Sequence, residues 1–254
     1  MNDLGPHTLA LVQQVETLSG CPVVFKPDST LGVQAALQKA RNGAAFHVLR
    51  YQPGGRALDY WVAYQCAYAL RFYALPPDQR WDFSDTGDGT EQVESLLMAG
   101  QTLDPNDLMR VPMFARQIEQ WALMTLLSYP VGMRIDRWLH HAYPALRVEQ
   151  AEGMAQLQTE NARLLSLAMG RLTVPVSLLG MPAAYARLAD SMLGTAVHST
   201  AWQAGGAMGT GERLFDLLEQ HADEPVHDRE LIDAWGRALG MSGWYRWKPY
   251  RMLA

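Results

Sequence analysis

Cysteine is scarce in this sequence: 254 residues contain two, Cys21 and Cys66. They stand far apart and form no metal or redox spacing, and their apolar contexts predict buried free thiols in a reducing compartment. Excess positive charge is also missing. A net charge of −5 argues against a broad nucleic-acid-binding surface, though a local basic patch is compatible with it. The uncharged stretch Tyr60 to Leu70 is too short for a bilayer, which needs about 20 apolar residues. The opening segment MNDLGPHTLALVQQVETLSG is polar rather than basic and then apolar, so no secretory signal is expected. Together these absences predict a cytoplasmic protein with no membrane partner. There is no internal repeat and no Ser/His/Asp or Cys/His arrangement that stands out. The glycine-rich WQAGGAMGTGERLF lacks the G-K-[ST] ending of a phosphate-cradling loop and is expected to be a flexible link between helices.

What the sequence does hold is core. At 48% hydrophobic and 19% charged, it has material for one large domain or two small ones. Leu11, Val12, Val15 and Leu18 share one face at helical spacing, with Gly20 as the stop. CPVVFKP and AAFHVLRY are short β-branched or aromatic runs and predict strands. LGVQAALQKARNG between them carries a weak helical period. After the QPGG turn, a long helix is expected from Ala57 to about Ala74, closed by Pro76 and Pro77. Its two charges, Asp59 and Arg71, sit at opposite ends in the sense the helix dipole favours. Residues 82–107 are acidic and turn-rich and predict a mobile connection with one short helix over Glu91–Ala99. From Pro112 onward helices dominate. One is expected to end at Pro130 and a second to follow it to Pro144, with a third over residues 145–169. Others are expected at 182–202, 212–221 and 228–239, the last with Asp228 as its N-cap.

The long helix carries YQCAY, residues 64 to 68, in which Tyr64 and Tyr68 lie four apart and share a face. A strand, a glycine turn and a helix with an i,i+4 polar pair is the layout of HExxH zinc peptidases. In those enzymes two histidines hold the metal and the intervening glutamate polarises its water. The order of helix, PVVF, AAFHVLRY and LDYWVAYQCAYALRF over the first 130 residues resembles the ImmA/IrrE family of metallopeptidase-like domains, a gluzincin-type fold. IEQWALMTLLSYPVG is similar to that family's third-ligand helix. On it Glu119 falls at the ligand glutamate, Leu123 at an aromatic position and Pro130 at the closing proline.

The departures from the family pattern bear on function. Tyr64 and Tyr68 take the places of the two histidines, and a neutral phenol with an ordinary pKa near 10 is a poor zinc ligand. Gln65 takes the place of the glutamate, and an amide has no useful basicity. Cys66, two residues from Tyr64, points to another face. The resemblance therefore implies a degenerate site with no catalytic residue, no metal and no cofactor, in which Glu119 would accept hydrogen bonds from the tyrosines. Core packing of the two tyrosines, unrelated to any former metal, would give the same sequence.

Other polar features are weaker. His140 and His141 are adjacent, so they point about 100° apart and do not face one metal. His47 alternates with Phe46 and Val48 along its strand. RIDRW, residues 134 to 138, predicts an ion-pair cluster with Arg134 stacked on Trp138. In SGWYRWKPYRML, Trp244, Tyr245, Trp247 and Tyr250 alternate with Arg246, Lys248 and Arg251. That mixture suits a protein partner or single-stranded nucleic acid, and it suits equally a tail that docks on its own helices. The expectation is an α+β, mostly α protein with a small N-terminal β-sheet and a central zincin-like helix. Residues 1–130 would form the metallopeptidase-like domain and residues 131–254 a helical extension packed on it. The expected function is a catalytically inactive scaffold or regulator that binds a protein or peptide. The alternatives are an active hydrolase with a non-standard metal site and a nucleic-acid-associated regulator using the C-terminal tail.

Overall fold

The computed structural model describes residues 4–41, 43–99 and 103–250. In chain order its elements are α1 (Pro6–Ser19), β1 (Val23–Pro27), β2 (Ala35–Gln38), β3 (His47–Tyr51), α2 (Leu58–Ala74), β4 (Trp81–Asp85), α3 (Gly89–Met98), α4 (Pro105–Ala142), α5 (Arg147–Ala162), β5 (Ala168–Met169), β6 (Leu172–Thr173), α6 (Gly180–Leu193), α7 (Val197–Ala204), α8 (Met208–Gln220), α9 (Asp228–Ala238) and β7 (Tyr245–Pro249). The class is α+β and mostly α, with sheets of two or three strands. No helix among the described residues is long and apolar enough to cross a membrane. The chain divides into two units that interleave along the sequence. One takes residues 1–82, 134–155 and 249–254, and the other residues 83–133 and 156–248.

In the first unit, α1 buries Leu11, Val12 and Val15 and packs on α2. Gly20 ends it at φ 72°, with its N–H on the Glu16 carbonyl at 2.9 Å. The sheet has the order β1-β3-β2, which leaves β2 at an edge. β1 runs parallel to β3, with Val23 opposite His47, and β2 runs antiparallel to β3, with Ala35 opposite Tyr51. The helix expected in LGVQAALQKARNG is thus a strand over Ala35–Gln38, because pairing with β3 outweighs the mild helical preference of Ala, Leu and Gln. α2 begins after Ala57, which adopts a left-handed φ of 52°. Its first-turn amides, those of Asp59 and Tyr60, donate to Glu149 Oε2 of α5 at 3.0 and 3.2 Å, a cap supplied from outside the helix.

α4 is a single 38-residue helix that contains both Pro112 and Pro130, where two separate helices were expected. Each proline removes one N–H donor, yet the helix continues through both sites. Leu126 and Val131 beside Pro130 are buried, so packing there offsets a loss of about 3 kcal/mol. Its residues 105–133 belong to the second unit and 134–142 to the first.

In the second unit, α6 and α8 pack closely through small residues. The helix expected over 182–202 breaks into α6 and α7 at Gly194, φ 65°. Asp190, on the last turn of α6, accounts for the break. Its carboxylate accepts the N–H groups of His198 and Ser199 at 3.0 and 2.9 Å and the hydroxyls of Thr195 and Ser199 at 2.7 and 2.6 Å. Two of the orphan donors at the start of α7 are satisfied from the preceding helix. Burial by itself would raise the pKa of Asp190, but these hydrogen bonds, led by Ser199, hold it below the ordinary value. The stabilisation is therefore complete above the ordinary Asp pKa and is lost as pH falls through the lower folded value. Asp190→Ala is expected to remove about 2 kcal/mol at pH 7. In denaturant titrations the gap between variant and parent should shrink as pH falls below the ordinary Asp value of about 4.

α7 ends at Ala204 and α8 begins at Met208, so of the expected glycine-rich link only residues 205–207 lie outside a helix. At α9 the N-cap is His227, and Asp228 is the first helical residue.

Candidate functional site

The four residues expected at the degenerate metal site divide between the units: Tyr64, Gln65 and Tyr68 lie on α2 in the first, and Glu119 on α4 in the second. Tyr64 is buried, its ring 6.1 Å from Tyr60 and 5.8 Å from Trp61, both in tilted or edge geometry. Tyr68 is half-buried. Gln65 faces the edge strand, where its Oε1 accepts the backbone N–H of Leu37 at 3.2 Å. The carboxamide at the position of a water-activating glutamate is thus bonded to β2.

Glu119 is fully buried, and within its own unit it accepts from the Thr90 hydroxyl and from Arg116 Nη1 at 2.8 Å. Arg116 also reaches Asp85 at 3.4 Å. A Cβ on Gly89 would lie 2.7 Å from Glu119 Oε1 and 2.6 Å from the Trp244 ring, so only glycine fits where α3 starts. The carboxylate therefore sits beside the positive end of α3, where negative charge is favoured. Among the described residues no group of three or more His, Cys, Asp and Glu side chains is arranged to hold a metal ion.

The aromatic tail is folded in. Trp244 and Tyr245 are buried, Trp247 is half-buried, and their basic neighbours Arg246 and Lys248 point outward. Trp244 donates its indole N–H to Gln92 at 2.5 Å. Tyr245 stacks on Phe83 at 4.6 Å, and the Tyr245 hydroxyl and Trp247 indole both donate to Asp233 Oδ1, at 2.8 and 2.9 Å. These contacts hold β7 on the second unit. In the first unit Tyr250 is buried, its hydroxyl bonded to the Ala40 carbonyl and paired with Tyr73. Arg251 lies outside the described residues.

His47 is fully buried. Its Nδ1 accepts the Ala40 N–H at 2.8 Å, so the neutral ring carries its proton on Nε2 and donates it to Ser19 Oγ, also at 2.8 Å. A hydroxyl that receives the imidazole proton is not activated by it, and the Ser19–His47 pair is structural. Burial lowers the His47 pKa and keeps the ring neutral. Cys66 is buried as expected, and burial pushes its thiol up to about 12, which makes it inert. His140 bonds Gln150 at 3.2 Å, and His141 is exposed.

Arg134 and Asp136 are interior, not an exposed ion-pair face, while Trp138 is exposed and meets Tyr143 edge-on at 5.2 Å. Asp136 accepts the Tyr60 hydroxyl at 2.7 Å and Gln150 Nε2 at 3.2 Å. Burial first, then the Asp136 charge, raises the Tyr60 pKa far above that of an ordinary phenol, so the hydroxyl is a fixed donor. Nothing local in the sequence marks this network, since Tyr60 and Asp136 are 76 residues apart. Comparison with protein-family models, curated proteins and solved structures finds no match to this chain.

Proposed function

We propose that the chain is a non-catalytic, metallopeptidase-like protein of the ImmA/IrrE type whose first unit binds an extended segment of a protein partner along β2. The observation that carries this reading is the bond from Leu37 N–H to Gln65 Oε1. β2 is an edge strand, and its pairing with β3 uses one side only. The outer side presents main-chain groups of the kind to which an extended peptide adds as a further strand. Gln65 occupies one of them through a neutral hydrogen bond worth about 1 kcal/mol net, which a peptide with several main-chain bonds displaces. A carboxamide held in this way activates no water, and this supports the non-catalytic half of the reading.

The test begins with extended peptides selected against the purified protein from a displayed library. Amide exchange of residues 35–38 should slow when a selected peptide is added, and the peptide should remain intact. Gln65→Ala frees the Leu37 N–H and should tighten binding by about fivefold, the equivalent of the one bond removed. Unchanged exchange at 35–38 with every selected peptide removes the binding site. Stoichiometric zinc, iron or manganese in the purified protein, together with peptide cleavage, establishes the hydrolase alternative instead.

A further inference from the structure

Three of the 21 basic side chains are lysine, at positions 26, 39 and 248. Lys26 and Lys248 are exposed, whereas Lys39, directly after β2, is half-buried. Elsewhere the chain uses arginine throughout for positive charge. What lysine offers and arginine does not is an amine that can lose its proton.

The surroundings of Lys39 favour that loss. Its Nζ lies 3.2 Å from the centroid of Phe72 and 5.2 Å from that of Tyr250. Among the described residues Lys39 makes no hydrogen bond or ion pair. The nearby carboxylate, Asp82, is bonded to Arg41 Nη2 at 2.8 Å. Arg80, the other neighbouring cation, gives Nε to the Leu75 carbonyl and Nη2 to the Tyr73 carbonyl, at 2.8 and 3.0 Å. The amine is thus flanked by two rings, with two guanidinium groups nearby and with Asp82, a carboxylate already bonded to Arg41, as its neighbouring anion. An aromatic face returns about 0.5–2 kcal/mol to an ammonium, less than its lost hydration. Burial is the main cause that lowers the Lys39 pKa to about 7; the Asp82 charge opposes it, and Arg41 and Arg80 add smaller effects in the same sense as burial. At neutral pH about half of the side chain is then free amine, against roughly 0.04% for an ordinary lysine.

We propose that Lys39 is a reactive-amine site that captures aldehydes carrying an anionic group. The Nζ lone pair attacks the carbonyl carbon, and the carbonyl π pair moves to oxygen. The oxygen then leaves as water with the two amine protons, so that a C=N bond replaces C=O. No oxidant or reductant enters this step. Half-buried Phe72 supplies an apolar wall for an aromatic aldehyde, and the two guanidinium groups of Arg41 and Arg80, against the one carboxylate of Asp82, draw the anionic group. The site is independent of β2 peptide binding and of any relation to metallopeptidases.

Pyridoxal 5′-phosphate is the probe: the full chain is incubated with it, reduced with borohydride, digested and mapped by mass spectrometry. Lys39 should be tagged at least tenfold faster than Lys26 or Lys248 at pH 7, with a rate profile that levels off just above pH 7. Pyridoxal without the phosphate should react several-fold more slowly at Lys39, and Arg41→Gln should narrow that difference. Equal tagging of the three lysines, or a Lys39 rate still climbing beyond pH 9, overturns the reactive amine. Equal rates for the two aldehydes overturn the anionic requirement.

Discussion

Gly211→Val is expected to destabilise the second unit by about 3 kcal/mol or more, at the upper end of the range for over-packed cores. Gly211 lies in the first turn of α8, where the backbone of α6 comes close. Even a methyl group at this position would sit 2.8 Å from Ala183 Cβ, 2.9 Å from the Ala183 carbonyl carbon and 2.9 Å from the Ala184 nitrogen. Two of those atoms are main chain and belong to a helix, so no rotamer change relieves the clash. The helices must separate, and Ala183, Ala184 and Leu214, all fully buried, then lose contact. Gly209, two residues earlier, has open space where a methyl group would project and serves as the control. Gly209→Ala should change stability by less than about 1 kcal/mol. Thermal melts of the two variants provide the check, and a Gly211→Val melting temperature equal to the parent's would refute the close approach.

Asp136→Ala should destabilise the first unit by about 3 kcal/mol. The carboxylate is fully buried, and its removal leaves the Tyr60 hydroxyl and one Gln150 amide N–H without a partner in an interior that water does not reach. Adding Tyr60→Phe to that variant should restore part of the loss, because the phenylalanine brings no unsatisfied donor. The two changes are therefore non-additive, and a double-mutant cycle in urea should give a coupling energy of at least about 1 kcal/mol. A coupling near zero would show that the 2.7 Å bond contributes nothing.

The parts of the fold legible in the sequence are those written in consecutive residues. α2 runs from Leu58 to Ala74 much as expected, since a glycine turn, a dipole-matched Asp59 and Arg71, and two prolines mark its ends locally. α1, β1, β3 and α9 carry similar marks. β2 does not, because what makes it a strand is β3, reached only later in the chain. The continuity of α4 through Pro112 and Pro130 is hidden for a related reason: proline's effect on a helix is local, but the packing that offsets it is not. The expected site shows the same division. YQCAY is visible as a polar pair on a helix, yet the partner of Gln65 lies 28 residues earlier, at Leu37. Lys39 carries no local signal because the rings around it come from Phe72 and Tyr250. Asp190 is equally silent, since an aspartate becomes a cap only when the next helix turns back to meet it.

The pairing of β4 with β7 has a consequence for biosynthesis. Thr86 and Gly243, joined by a 2.8 Å bond at this closure, are 157 residues apart. At ordinary translation rates of about 5–20 residues per second, β4 leaves the ribosome roughly 8–30 s before the strand that covers it. During that interval Phe83 has no stacking neighbour in Tyr245, and the edge of β4 is bare to other nascent chains. The acidic side chains of Asp82 and Asp85 on β4 itself would repel a second copy of the same strand, which suits a segment that must wait.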